Sequence, residues 1–159
     1  MAVTADDLIT FDEFITHWAS DRPDRLAMRE EDRAWSYADL EERTARVATA
    51  LLAAGLKPGE RIAWIGKNSD LYFTLFYGAA RAGIVMAPIG WRLAAPEWAF
   101  IVNDTQSKMV FTGTGFEDVA KTLGPLCPGA ERFYSAAEGR ILIETTTRAA
   151  FTPFWTPSS

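Results

Sequence analysis

The sequence has 159 residues, of which 48% are hydrophobic and 13% aromatic; this excludes wholesale disorder and fits one domain or one piece of a larger one. The formal net charge of −5 is uneven: residues 1–60 carry 13 acidic and 7 basic side chains, residues 61–159 carry 8 and 9. No basic patch interleaved with aromatics appears, so nucleic acid is excluded as a partner, and the acidic first part reads as a solvated outer face.

Residues 1–10 read as a short leader, without the basic and apolar regions of a secretion signal. No apolar run approaches the roughly 20 residues that span a bilayer. The single cysteine, Cys127, excludes an internal disulfide, and these features together predict a cytoplasmic protein. With one histidine and one cysteine, no metal-ligand spacing arises.

Phe11, Phe14, Ile15 and Trp18 recur at helical spacing and predict a helix over 11–19. His17 falls off that stripe; a general base is one reading, a surface helix residue the simpler one, since no nucleophile motif accompanies it. Pro23 breaks the helix, and segments 26–29 and 33–35 predict a small hairpin across Glu30, Glu31 and Asp32. Ser36 and Asp39 have the spacing of a capping box and open a long helix over 37–54, lined by Leu40, Val47 and Leu51 with Ala48 and Leu52 beside them. Gly55 ends that helix, and Pro58-Gly59 turns the chain.

A βαβ unit follows, and the rest of the chain extends or covers it. Segment 62–65 is a short buried strand and Asn68, Ser69 and Asp70 are helix-start residues. Segment 71–82 is a helix ended by Gly83, and 84–88 is a second strand. Such a unit makes the strands parallel. Segment 89–93, Ile-Gly-Trp-Arg-Leu, is a loop at the carboxyl end of a strand, where open α/β sheets place ligands. Pro96 opens a helix to about 102, and 108–112 is a third strand. Gly113-Thr114-Gly115 precedes a helix from about Phe116. A G-x-G there hints at dinucleotide binding, but Asp118 stands where the third glycine belongs, so an ordinary tight turn is the default. Segment 132–135 is a fourth short strand. From 139 to 159, two prolines and many Ser and Thr predict an irregular tail, although Phe151, Phe154 and Trp155 are apolar for one.

Two stretches carry a specific resemblance. Trp35-Ser36-Tyr37-Ala38-Asp39-Leu40 is similar to the first core motif of the adenylate-forming superfamily, Leu-Ser/Thr-Tyr-x-Glu-Leu, with Asp39 in place of Glu. Residues 80–88, Ala-Arg-Ala-Gly-Ile-Val-Met-Ala-Pro, resemble the second. Order, spacing and the matching βα units extend the similarity over roughly residues 10–125, and AMP-forming acyl-CoA synthetases of the fatty-acid ligase branch are the nearest group.

The resemblance implies an α/β fold of three-layer βα units with a mainly parallel sheet, the incomplete N-terminal subdomain of such a ligase, over residues 11–138. It implies a reaction in which a small carboxylic acid attacks the α-phosphate of ATP and coenzyme A then displaces AMP, with Mg²⁺ assisting. The Ser/Thr/Gly-rich phosphate loop of the family is not matched at Thr145–Thr147, nor are the later nucleotide and Mg²⁺ motifs. The expectation is therefore a fragment inactive alone, with no catalytic or metal residue and no tightly bound cofactor. One binding residue carries over. In the family loop Pro-x-Asn-x-Arg-Leu the Arg lies near the 3′-phosphate of coenzyme A. It maps onto Arg92, Gly90 replaces the Asn, and a purely structural Arg92 is the competing reading. A non-catalytic α/β interaction or nucleotide-binding module is the alternative function. The broadly apolar helix with Tyr72, Phe73, Phe76 and Tyr77 predicts self-association unless the tail aromatics fold back on it.

Overall fold

Ile62, Ala63 and Ile65 are fully buried and Trp64 nearly so, which marks β3 (Arg61–Ile65) as the strand covered on both faces. The computed structural model describes residues 10–137, 140–144 and 153–155. Helix α1 (Phe11–Asp21) comes first, then a hairpin of β1 (Leu26–Glu30) and β2 (Arg33–Ser36), then α2 (Tyr37–Ala53). After β3 come α3 (Asp70–Arg81), β4 (Val85–Ile89), α4 (Ala95–Asp104), β5 (Met109–Thr112), α5 (Val119–Leu123) and β6 (Arg132–Ala137). Two further strands, β7 (Arg140–Glu144) and β8 (Pro153–Trp155), complete the described elements.

The main sheet has the order β4-β3-β5-β6-β7-β8. β3 pairs in parallel with β4 and β5, and β5 with β6, so the three apolar runs read from the sequence are parallel neighbours. On one face α2 and α3 pack through Val47, Leu51, Leu75 and Ala79 onto Ile62, Trp64, Met109 and Phe111. On the other, α4 and α5 cover Ala63, Ile65 and Val110 through Ala99, Val102, Ala120 and Leu123. The three-layer α/β expectation holds. Residues i and i+1 of one strand face opposite helical layers, so both must be apolar.

β4 is the edge strand, and its sequence suits an edge. Val85 N–H donates to Glu60 O at 2.9 Å, so the N–H positions of residues 86 and 88 face away from β3. Pro88 occupies one of them, where its missing donor costs no ladder bond.

The caps explain the helix starts. Ser36 Oγ accepts from Asp39 N–H and Asp39 Oδ2 accepts from Ser36 N–H, as the capping-box spacing predicts. Ser69 Oγ accepts from Tyr72 N–H and caps α3. Gly78 lets α2 and α3 approach: a Cβ there would lie 2.5 Å from Val47 Cβ.

Three expectations are corrected. The helix after β5 starts at Val119 and not near Phe116, because Gly115 turns the chain at φ +85. The stretch after 139 is not irregular throughout: β7 pairs antiparallel with β6, and β8 with β7. The third correction concerns α3. It is α1 that meets its aromatics, with Phe11 edge-on to Phe76 at 5.1 Å and to Tyr77 at 6.5 Å, while Phe73 stays exposed. Phe154 and Trp155 belong to β8 at the far end of the sheet, and Phe151 lies outside the described residues.

Candidate functional site

Three loops meet at the carboxyl ends of β3, β4 and β5. The parallel register pairs Ile65 with Ile89. Two residues further along each chain stand Lys67 and Trp91. Lys67 Nζ lies 5.3 Å from the centroid of the Trp91 ring, and the Arg92 guanidinium carbon lies 4.1 Å from it. Phe116, from the loop after β5, meets Trp91 edge-on at 6.1 Å. The turn under Trp91 is fixed by the Gly90 carbonyl, which accepts from Leu93 N–H at 3.2 Å and Trp98 Nε1–H at 2.9 Å.

Arg92, the binding residue implied by the resemblance, is exposed at this edge. Neither it nor Lys67 forms a salt bridge to a carboxylate among the described residues. Gly90 is not demanded by sterics, since a Cβ would meet only Leu93 Cγ at 3.5 Å, an ordinary contact.

The glycines of the neighbouring loops have a different reason. A Cβ on Gly66 would stand 2.8 Å from Gly113 N and 2.9 Å from Gly113 Cα, so two backbones cross where no side chain fits. Gly113 N–H donates to Ile65 O at 2.9 Å and closes that crossing. Gly115 is a turn residue at positive φ with nothing near its Cβ position. Both glycines of the G-x-G are thus required by the turn itself. The helix that follows has five residues, too short to offer a phosphate a strong dipole.

A cleft of about 440 Å³ lies at the far, amino end of β3 and β5, lined by Arg61, Gln106 and Lys108; the second, of about 330 Å³, adjoins Lys67 and is bounded by Glu30, Glu31, Arg33, Ser69 and Thr114. The floor of the second is a charge network that the sequence reading missed. Asp70, whose side chain is 1% exposed, accepts from Arg33 Nε at 2.9 Å and Nη2 at 3.0 Å, and from Trp35 Nε1 at 3.1 Å. Glu30 Oε2 accepts from Asp70 N–H at 2.6 Å. The Arg43 guanidinium lies 3.8 Å over the Trp35 ring. Burial alone pushes Asp70 up, but hydrogen bonds led by that from Arg33 outweigh it and hold the carboxyl at about 2. Glu30 is pushed up, first by burial and then by the adjoining Asp70 carboxyl. Burial lowers Arg43 to about 10, so it stays cationic at neutral pH. This network ties the hairpin to α3 and is structural.

His17 lies on α1 with its ring edge-on to Trp18 at 4.9 Å, and no described Ser, Cys or Asp is hydrogen-bonded to it. Among the described residues no group of three His, Cys, Asp or Glu is placed to hold a metal ion. No described helix is long and apolar enough to cross a membrane.

The sequence model of the AMP-binding enzyme family matches residues 15–147. Fatty acid–[acyl-carrier-protein] ligase ScoC of Streptomyces coeruleorubidus is 37% identical over 110 residues, 69% of this chain and 21% of that protein. Long-chain-fatty-acid–CoA ligase FadD13 of Mycobacterium tuberculosis is 44% identical over 82 residues, 52% of this chain and 16% of that one. The inhibitor-bound crystal structure of the N-terminal domain of FACL13 from Mycobacterium tuberculosis superposes with a TM-score of 0.77 at 31% identity, covering 81% of this chain and 34% of that one. The chain thus spans about a fifth of the length of the curated relatives it matches. With the parallel sheet, the two core motifs and a family match over most of its length, the chain belongs to the AMP-binding enzyme family.

Proposed function

We propose that this chain is the N-terminal α/β part of an ATP-dependent, AMP-forming acyl-CoA ligase, a cytoplasmic enzyme acting on a small carboxylic acid. The observation that carries the reading is the family match over residues 15–147, together with relatives named as fatty-acid ligases. In this reading residues 11–138 build the outer sheet of the ligase, and Arg92 holds a phosphate of coenzyme A. A guanidinium suits that task because it is a permanently charged planar donor. Support for Arg92 is its position: exposed, beyond the carboxyl end of a parallel strand, and stacked on Trp91.

Adenylation needs cationic stabilisation of a phosphoryl transition state and backbone donors around the phosphates. In the G-x-G turn the described glycines are accounted for by the backbone crossing and the turn, and among the described residues no group of three His, Cys, Asp or Glu is placed to hold a metal ion. No step is therefore assigned to this chain alone. The test is acid-dependent ATP–pyrophosphate exchange by the purified 159-residue chain. The expected result is no exchange above a heat-killed control. Exchange that co-purifies with the chain at constant specific activity would overturn the expectation that this chain alone is inactive.

A further inference from the structure

We propose, independently of the ligase reading, that α1 is a detachable cover over Phe76 and Tyr77 of α3. It is fastened where Asp12 and Glu41 share the guanidinium of Arg81, and mild acid tightens the fastening.

Of the 11 residues of α1 only Ile15 is buried, and Phe11 is 61% exposed although it meets Phe76 and Tyr77 edge-on. A helix this short does not persist alone in water, so α1 is formed only while it is docked. Beside its apolar contacts, one polar cluster fixes it. Arg81, in the last turn of α3, donates from Nη2 to Glu41 Oε1 of α2 at 2.6 Å and from Nη1 to the Glu41 carbonyl at 3.3 Å. Thr16 of α1 donates its hydroxyl to Glu41 Oε2 at 3.2 Å. Asp12 of α1 is left with a longer contact, Oδ1 to Arg81 Nε at 3.5 Å.

Two carboxylates thus meet one cation, and Glu41 holds the short contact. Asp12 Oδ1 is buried and accepts no hydrogen bond among the described residues. A buried anionic oxygen without a donor opposes docking, and a proton on that carboxyl removes the opposition. The charged groups that face it are Glu13 from α1 itself, Glu41 from α2 and Arg81 from α3. Burial pushes Asp12 up most; Arg81 pulls it down, and Glu41 and Glu13 push it up again. The positive end of the α1 dipole favours the anion, yet the carboxyl stays above its ordinary value of 3.8. A raised acid contributes stability that is complete below the ordinary value and is lost as pH rises through the docked one. α1 is therefore held most firmly as pH approaches 3.8 from above, and opens more often once Asp12 is ionised. Opening uncovers Phe76 and Tyr77.

Amide hydrogen exchange of the ¹⁵N-labelled full chain tests this at several pH values from 4 to 7, corrected for intrinsic rates, with α2 and α3 as internal reference. Protection of residues 15–21 relative to those helices should fall several-fold across the range. Asp12→Asn should abolish that slope. Glu41→Gln frees Arg81 for Asp12 and should reduce it. Both positions are partly exposed and the readout is a slope, so a modest change in overall stability does not mimic it. A slope that survives in Asp12→Asn would belong to another group of α1, His17 or Glu13, and would overturn the proposal. A Glu41→Gln slope equal to the parent's would overturn the shared guanidinium. Protection of α1 equal to that of α2 and α3 at every pH would mean that α1 opens only when the whole chain unfolds, and would overturn the cover.

Discussion

Arg33 reaches across from the hairpin to grip Asp70 at the start of α3 with a two-pronged contact, Nε to Oδ2 at 2.9 Å and Nη2 to Oδ1 at 3.0 Å. The carboxylate is buried, whereas Arg33 is 41% exposed. Removing the carboxylate strands the half-buried Trp35 N–H and leaves Arg43 near Arg33 without their shared counter-charge. Asp70→Ala should therefore destabilise by about 2–3 kcal/mol, below the value for a fully buried pair because Arg33 retains water. Urea midpoints at unchanged m-value check this. A loss under about 0.5 kcal/mol would mean that the contact is a surface ornament.

The same carboxylate sets an acid limb. Asp70 is held at about 2 when folded, against an ordinary value of 3.8. A depressed acid contributes stability that is complete above its unfolded value and disappears as pH falls through the folded one. Stability should thus fall on the order of 2 kcal/mol between about pH 4 and pH 2, and Asp70→Asn should lack that fall. Glu30 is displaced in the opposite direction. Its raised value favours the folded state at low pH and weakens it as pH rises above the unfolded value of 4.5. Glu30→Gln should flatten that second limb. Thermal midpoints across pH 2.5–7 separate the two, and an Asp70→Asn profile parallel to the parent would refute the assignment.

Gly78 is a contact residue of the α2–α3 interface. Its Cβ position lies 2.5 Å from both Val47 Cβ and Cγ1, and 3.1 Å from Thr44 O. Gly78→Ala gains helix propensity but must push the helices apart, and overpacking costs about 1–3 kcal/mol. Val47→Ala makes room. The pair should be less damaging than the two single changes added, by about 0.5–3 kcal/mol in a double-mutant cycle. Strict additivity would show that the helices adjust without strain.

Much of this architecture was legible because it rests on local rules. The Ser36–Asp39 box, the Ser69 cap and the apolar runs of β3, β4 and β5 are written in neighbouring residues. The Arg33–Asp70 pair was not, since 37 residues separate its members and Asp70 also satisfies the helix-start rule that hid it. The cover of α3 by Phe11 was missed for a related reason: α1 reads as amphipathic, but periodicity names no partner. Lys67 beside Trp91 could have been found. Once β3 and β4 are parallel neighbours, the only unknown is register, and that register pairs Ile65 with Ile89. Of the late strands, β7 does carry an apolar run, Ile141-Leu142-Ile143, overlooked beside Thr145–Thr147, whereas β8 is three residues opened by Pro153 and gives no local signal.

The last prediction concerns how the isolated chain behaves in solution. Tyr72, Phe76 and Tyr77 are half-buried, the last two beneath Phe11, whereas Phe73 on the same helix is 39% exposed. Phe73 borders an apolar cleft of about 210 Å³ that also involves Phe14, Ala27, Tyr37 and Tyr77. Phe14 at 40% and Leu26 at 50% exposure place further apolar surface on the hairpin and α1. Aromatic groups gathered around one cleft are worth covering, and a second copy of the chain offers the same surface. The purified chain should therefore sediment above its monomer mass at micromolar concentration and bind a hydrophobic dye near neutral pH. Phe14→Ser with Phe73→Ser should shift it toward monomer and reduce dye binding several-fold while leaving the core intact. Phe11→Ala should behave differently: it removes the cover from Phe76 and Tyr77 and should increase dye binding. A parent chain that sediments as a compact monomer and ignores the dye would show that this surface is tolerated in water.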